Sequence, residues 1–315
     1  MKLDRRGFFQ VLAAGAAASL PGQSAQASSQ EHSPEVSEDR IGMLVDTTVC
    51  IGCRKCEFAC DQSHQLTGLP LETFESTTAF DRDRRMNADA FTVVNRYKDP
   101  DNPQKPTYVK NQCMHCLDPA CVSACLVGSL KLKDNGAVTY DAWKCIGCRY
   151  CMVACPFEVP AYEYKNPLTP EVRKCDFCYE RVTSEGKLPA CAEICPPMCL
   201  TFGKRSELLK IAHEKIAANP EKYQDKVYGE TEVGGTSWLY LAGRDFSKIG
   251  FLELDGRPIP ELTETIQHNV FKYGIPPLMV YGLLAATMWS IKDHRKHEPG
   301  SDAKKKGAAH VDSQN

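Results

Sequence analysis

The stretch that most constrains this chain runs from Lys144 to Pro156 and reads KCIGCRYCMVACP. Cys145, Cys148 and Cys151 stand three apart on one short loop, and Cys155 follows four residues later. Thiols at that spacing wrap one inorganic iron–sulfur cubane, leaving the intervening backbone amides free to point at its sulfides. The last cysteine falls past the loop, on a helical turn, and reaches a neighbouring cluster instead. One such run therefore demands further ligands elsewhere in the chain.

Three more quartets supply them. Cys50, Cys53, Cys56 and Cys60 repeat the same spacing in CIGCRKCEFAC, with Asp61 in place of the trailing proline. Cys113, Cys116, Cys121 and Cys125 lie in CMHCLDPACVSAC, where the middle gap is wider and Leu126 follows. Cys175, Cys178, Cys191 and Cys195 form the last set, with a twelve-residue loop in the middle. Sixteen of the 17 cysteines are thus placed, enough for four 4Fe-4S clusters. Cysteines three apart on a tight loop are poorly placed to bridge one another as disulfides. Zinc ribbons need two C-x-x-C pairs, not further cysteines at +6 and +10. No quartet has a ligand replaced by His or Asp, so nothing argues for a 3Fe-4S or Rieske-type centre. Cys199 is off the ligand spacing and reads as a small buried side chain beside a cluster. His115 and Trp143 read as packing residues next to clusters.

The rest of the 315 residues is ordinary in hydrophobic content (43%) and charge (25%), and a net charge of −2 gives no reason to expect nucleic acid. A glycine-rich nucleotide loop and a Ser/His/Asp signature are both missing, so the chain does not read as an enzyme by itself. Between the quartets, Phe91 to Tyr97 and Thr107 to Lys110 read as a hairpin arm. Leu130 to Lys133 and Ala137 to Tyr140 flank Asp134-Asn135-Gly136, a hairpin signal. Pro156 to Lys174 reads as mostly extended, and Leu200 to Lys204 as a strand. Ser206 is expected to cap a helix to about Ala218, stopped by Asn219-Pro220, with Leu208, Leu209, Ala212 and Ile216 on one face. Thr236 to Ala242 reads as a strand packing back on the core.

Both termini carry targeting signals. Residues 1–27 read as an export signal: Lys2, Arg5 and Arg6 precede an apolar segment from Phe8 to Leu20, too short to span a bilayer, and Ala25-Gln26-Ala27 is a cleavage site. Arg5 and Arg6, in DRRGFF, resemble the twin-arginine motif, whose route exports folded, cofactor-loaded proteins. Residues 28–40 read as a flexible leader. Near the other end, Gly274 to Ile291 are eighteen uncharged residues, ~27 Å as a helix, and are expected to span the membrane. Lys292, Arg295, Lys296 and Lys304 to Lys306 follow, which orients the 292–315 tail to the cytoplasm. The expected location is the inner membrane, with the cluster domain in the periplasm and residues 263–291 as interfacial helix and anchor.

Quartets in this order, with the widened second and the long-looped fourth, resemble the four-cluster ferredoxin-type subunits of membrane oxidoreductases, including those of dimethyl sulfoxide reductase, formate dehydrogenase, polysulfide reductase and hydrogenase-2. The ferredoxin likeness covers about Gly42 to Gly203. The twin-arginine segment, QCMHC (Gln112 to Cys116), CRYCMVACP, the GGT from Gly234 to Thr236 and the IQH from Ile266 to His268 are most similar to the hydrogenase-2 type. That resemblance implies an α+β fold of tandem ferredoxin-like units over residues 41–205 with inserted hairpins, a helix and strand extension over 206–262, and one C-terminal transmembrane helix. It implies an electron-transfer role between a periplasmic catalytic partner, a nickel–iron hydrogenase small subunit, and an integral membrane quinone-interacting subunit. The same wire in a formate dehydrogenase, a sulfur-compound reductase or a cytochrome-linked complex is the alternative. It also implies the ligand pairing: Cys50, Cys53 and Cys56 with Cys195 (cluster 1); Cys113, Cys116 and Cys121 with Cys155 (cluster 2); Cys145, Cys148 and Cys151 with Cys125 (cluster 3); Cys175, Cys178 and Cys191 with Cys60 (cluster 4). The sequence alone permits pairing of the first quartet with the second and the third with the fourth equally well.

Overall fold

A computed structural model describes residues 40–100, 102, 104–166, 171–260 and 277–296. The chain divides into two units, Met1–Glu35 and Val36–Asn315. The first lies outside the described residues, and with it the expected export signal of Arg5 and Arg6.

The second unit is a mixed α and β assembly built on a three-stranded sheet. Its strand β1 (Ile41–Asp46) is central. Helix α1 (Lys55–His64) follows the first cysteine loop, then a short α2 (Leu71–Glu75). Strands β2 (Val93–Tyr97) and β3 (Thr107–Asn111) pair antiparallel, as the hairpin reading expects. Helix α3 (Ala120–Ser123), strands β4 (Leu130–Leu132) and β5 (Val138–Tyr140), and helix α4 (Tyr150–Ala154) complete the second and third quartets. Within the stretch expected to be extended, the two-residue strands β6 (Ala161–Tyr162) and β7 (Val172–Arg173) pair antiparallel. Helices α5 (Tyr179–Thr183) and α6 (Ala190–Glu193) carry the fourth quartet. Strand β8 (Leu200–Lys204), helix α7 (Arg205–Ala218) and strand β9 (Trp238–Leu241) close the sheet.

Strand β1 lies antiparallel to β8, Met43 facing Phe202, and parallel to β9, Leu44 facing Leu239. Side chains alternate across a strand, and here both faces are covered. Leu44, Leu239 and Leu241 pack with Leu208, Ala212 and Ile216 of α7. Met43, Val45, Trp238 and Tyr240 turn the other way, onto Met114, Phe177 and Cys199 of the cysteine loops. The sheet thus separates an aliphatic layer from the cluster-bearing layer. Helix α7 starts one residue before the expected Ser206 cap. Lys204 is its N-cap and provides no side-chain bond, since an ammonium cannot accept, and Arg205 N donates instead to Arg40 O at 2.8 Å. Asn219 ends it, as its sequence signal indicates.

The expected membrane anchor is not borne out. No helix among the described residues is long and apolar enough to cross a membrane. Helix α8 (Pro277–Lys296) occupies most of the expected span, but its uncharged part ends at Ile291 and its last turn carries Lys292, Asp293, Arg295 and Lys296. The fifteen residues from Pro277 to Ile291 cover ~22 Å, against ~30 Å of hydrocarbon. The expected inner-membrane location, cytoplasmic tail and lipid contact rested on that anchor and fall with it, whereas the expected periplasmic export rests also on the 1–27 signal, which lies outside the described residues. Residues 274–276 and the expected interfacial helix at 263–272 lie outside the described residues.

Candidate metal centres

Each cysteine loop has a left-handed residue two places after its first cysteine: Gly52 (φ 71), His115 (φ 48), Gly147 (φ 70) and Phe177 (φ 65). This turns the following amides inward, and Gly147 N and Phe177 N each lie 3.4 Å from the Sγ of Cys145 and Cys175. Glycine takes this conformation without strain. A Cβ on Gly52 would also stand 2.3 Å from the Tyr108 ring. His115 and Phe177 hold it as bulky residues because both are buried, and their rings meet edge to face at 4.8 Å. His115 is the packing residue the sequence suggests. Its Nδ1 accepts from Val138 N at 2.9 Å, and burial, then Lys174 and Arg40, hold it well below the usual imidazole range and therefore neutral. Trp143 is the opposite of the expected packing residue: it is 94% exposed. The signal for this was its place at the polar end of the hairpin, in a turn where Asp141 accepts from its amide.

Helix α1 packs against α6, and α3 against α4, so the first quartet meets the fourth and the second meets the third. The thiols follow the helices. Burial pushes Cys116 well up, and the thiols of Cys113, Cys155 and Cys121 add to it. Cys151 rises to about 11 through burial, then Cys125, Cys145 and Cys148. Cys60 is pushed well up by burial, then by Cys175, Cys191 and Cys178. Cys50 has Cys195 among its charged neighbours, on the loop that also carries Cys53 and Cys56. Across the sets, Cys56 faces Cys191, Cys121 faces Cys151, and Cys175 faces Cys113.

All 17 cysteines are free thiols. Groups of buried thiols that push one another's pKa upward are costly unless a soft cation neutralises them. An all-sulfur donor set fits a 4Fe-4S cluster or zinc. Three buried cations also stand among the thiols, and the sequence reading passed over them. Lys110, 3% exposed, donates to Gln112 Oε1 at 2.9 Å and lies 4.5 Å from the Trp238 ring centroid. Burial favours its neutral form, but Cys191, Cys56 and Cys175 outweigh this and hold its pKa above the ordinary lysine value. Lys174 donates to Val138 O and Cys175 O beside Cys113 and Cys121. Arg40 donates to Cys116 O at 2.7 Å. Lys110 and Lys174 lie within four residues of a cysteine and Arg40 immediately precedes β1, and nothing in a cation's identity marks burial in advance.

Two family models for a 4Fe-4S dicluster domain match the chain, over residues 49–129 and 104–205. The geometry and these matches define an iron–sulfur protein carrying four 4Fe-4S clusters. A protein of Nitratidesulfovibrio vulgaris is 46% identical, over 90% of this chain and 77% of that one. The hydrogenase-2 operon protein HybA of Escherichia coli O157:H7 is 31% identical, over 95% of this chain and 99% of its own length. The iron–sulfur subunit of formate dehydrogenase-O of Escherichia coli K12 is also 31% identical, over 81% and 82%. The chain belongs to this family of iron–sulfur electron-transfer subunits of oxidoreductase complexes.

Proposed function

We propose that this chain relays electrons between a nickel–iron hydrogenase and a quinone-interacting subunit, and that its ligand sets are the four crossed quartets given above as clusters 1 to 4. The observation that carries the reading is the order in which the thiols meet. Helix packing brings the first quartet against the fourth and the second against the third, and Cys191 acts electrostatically on Cys56, Cys151 on Cys121, and Cys113 on Cys175. The bound clusters accept and release single electrons. The chain's own part is to hold them in file, exclude water, and set their potentials through nearby charge and hydrogen bonds.

The two ends of that file differ. At the third quartet, Cys148 is the one exposed cysteine, and Trp143, Ile146 and Val153 stand out around it. Docking of a redox partner suits that end, since a protein interface favours an aromatic and aliphatic centre. The alignment over 99% of HybA favours the hydrogenase reading. A formate dehydrogenase partner is the second reading, favoured by an equal identity to that subunit over 82% of its length.

Cys155→Ser tests the ligand sets. It is expected to perturb the electron paramagnetic resonance signal of cluster 2 and to spare that of cluster 3. Loss of the cluster 3 signal alone would refute the pairing. Affinity purification of the chain from anaerobically grown cells tests the partner: recovery of a hydrogenase small subunit supports the first reading, and recovery of a formate dehydrogenase catalytic subunit replaces it with the second.

A further inference from the structure

The three later quartets end in one repeated turn. The residue three places after the last cysteine is left-handed in each: Gly128 (φ 62), Glu158 (φ 51) and Met198 (φ 51). Its amide donates to that cysteine's carbonyl, at 3.2 Å on Cys125, 3.0 Å on Cys155 and 3.2 Å on Cys195. The turn brings the next residue back over the cysteine sulfur. Ser129 N lies 3.1 Å from Cys125 Sγ, and the amides of Val159 and Cys199 also donate to the sulfurs of Cys155 and Cys195. The backbone contribution is therefore common to all three.

The side chains at that fourth place are not. Ser129 spends its hydroxyl on Asp141 O at 2.6 Å, and Val159 has no donor. Cys199 is 6% exposed, its Sγ lies 3.4 Å from Cys195 Sγ, and it also bonds to the thiol of Cys50. Asp46 N donates to Cys199 O at 2.9 Å, which ties this turn to β1 and fixes where the thiol points. In the first quartet α1 runs on through the corresponding place, and His64 Nδ1 meets Cys60 O at 3.1 Å.

We propose that Cys199 is not a cluster ligand but a thiol donor to the Cys195 sulfur, positioned to raise the reduction potential of cluster 1 above what the same turn with valine gives cluster 2. The inference rests on the ligand sets proposed above. A donor to a ligand sulfur draws charge from it, which favours the reduced, more negative cluster. A cysteine sulfur that ligates iron carries no proton, so the hydrogen of the 3.4 Å Cys195–Cys199 contact would come from Cys199.

Redox titration followed by electron paramagnetic resonance on the anaerobically purified full chain tests this, with the cluster 1 signal identified as the one lost in Cys53→Ser. Cys199→Val, which imports the residue of the third quartet, is expected to keep all four signals and to move the cluster 1 midpoint alone to a more negative potential. Cys199→Ser, which keeps a donor, is expected to restore most of the shift. Val159→Cys is expected to move cluster 2 in the positive direction. An unchanged cluster 1 midpoint in Cys199→Val overturns the proposal. So does conversion of cluster 1 to a 3Fe form in that variant, which would make Cys199 a ligand. Cys195→Ser checks the ligand set separately: if it leaves the cluster 1 signal untouched, the assignment fails, whatever Cys199→Val does.

Discussion

At the scale of single residues, charge buried beside thiols has the largest consequence for function. Lys110 stands among Cys191, Cys56 and Cys175, so its charge acts on clusters 1 and 4 together. A fixed positive charge favours the reduced cluster. Lys110→Met is therefore expected to lower both midpoints by on the order of tens of millivolts and to leave cluster 3 unmoved, as read by redox titration. Asp46 shows the same physics acting on stability. Burial alone would raise its pKa, but hydrogen bonds from Thr48 and Tyr223 and the Lys215 ammonium outweigh this and hold it below the ordinary value. A carboxyl depressed in the folded state stabilises the fold above its unfolded pKa of about 3.9, and that contribution is lost as the pH falls through the lower folded value. Asp46→Asn is expected to lower the urea midpoint at pH 7, with the difference from the parent narrowing toward pH 3. Neither residue was marked in the sequence. Lys110 and Asp46 look like ordinary polar ends of strands, and only the packing of β9 on Lys110 and of Lys215 and Tyr223 on Asp46 shows what their charges meet.

At the scale of elements, one carboxylate joins α1 to the hairpin arm. Glu57 accepts from Arg54, from Arg84 and from Val94 N, the last at 2.7 Å, and both its side chain and that of Arg54 are buried. Removing one partner of a buried pair leaves the other uncompensated, at a cost of about 3–5 kcal/mol. Glu57→Ala is expected to cost that much in denaturant titration of the holoprotein. Glu158→Gln, which breaks the exposed pair with Arg85 at 2.6 Å, should change stability by less than about 1 kcal/mol. Gly52 makes a complementary point. Its left-handed φ and the Tyr108 ring at 2.3 Å from any Cβ leave no room for Gly52→Ala. That variant is expected to lose cluster 1, with iron falling from ~16 to ~12 per chain by metal analysis. The hairpins at 93–111 and 130–140 were legible because strand alternation and Asp-Asn-Gly are local signals. Strand β1 was not, because its run of buried residues, covered on both faces, has no alternation to read. The 161–173 hairpin was hidden among prolines.

At the scale of the whole molecule, the file of quartets ends on an exposed patch. Val153 is 82% exposed beside Trp143 and Cys148. A charge there would have to be desolvated on docking. Val153→Asp is expected to keep all four cluster signals and to slow electron exchange with the redox partner by about tenfold, the equivalent of roughly 1.4 kcal/mol. An unchanged rate in stopped-flow absorbance would place the docking end elsewhere.

The sequence by itself determined the cofactor chemistry, since thiols at steps of three and four specify a cluster whatever surrounds them. It also determined the number of quartets, because these are set by residues a few places apart. It did not determine the membrane question. Eighteen uncharged residues satisfied a length rule, whereas the described helix has fifteen of them and spends its last turn on Lys292 to Lys296. Nor did it determine which quartets adjoin, since spacing permits either pairing. The packing of α1 on α6 brings together thiols more than a hundred residues apart, and that of α3 on α4 joins the second quartet to the third. Only tertiary structure also set Lys110 among the thiols and Cys199 over Cys195 and Cys50. Spacing along the chain fixes what a loop can bind. The electrostatic surroundings that tune it are set by contacts across the fold, to which local sequence is blind.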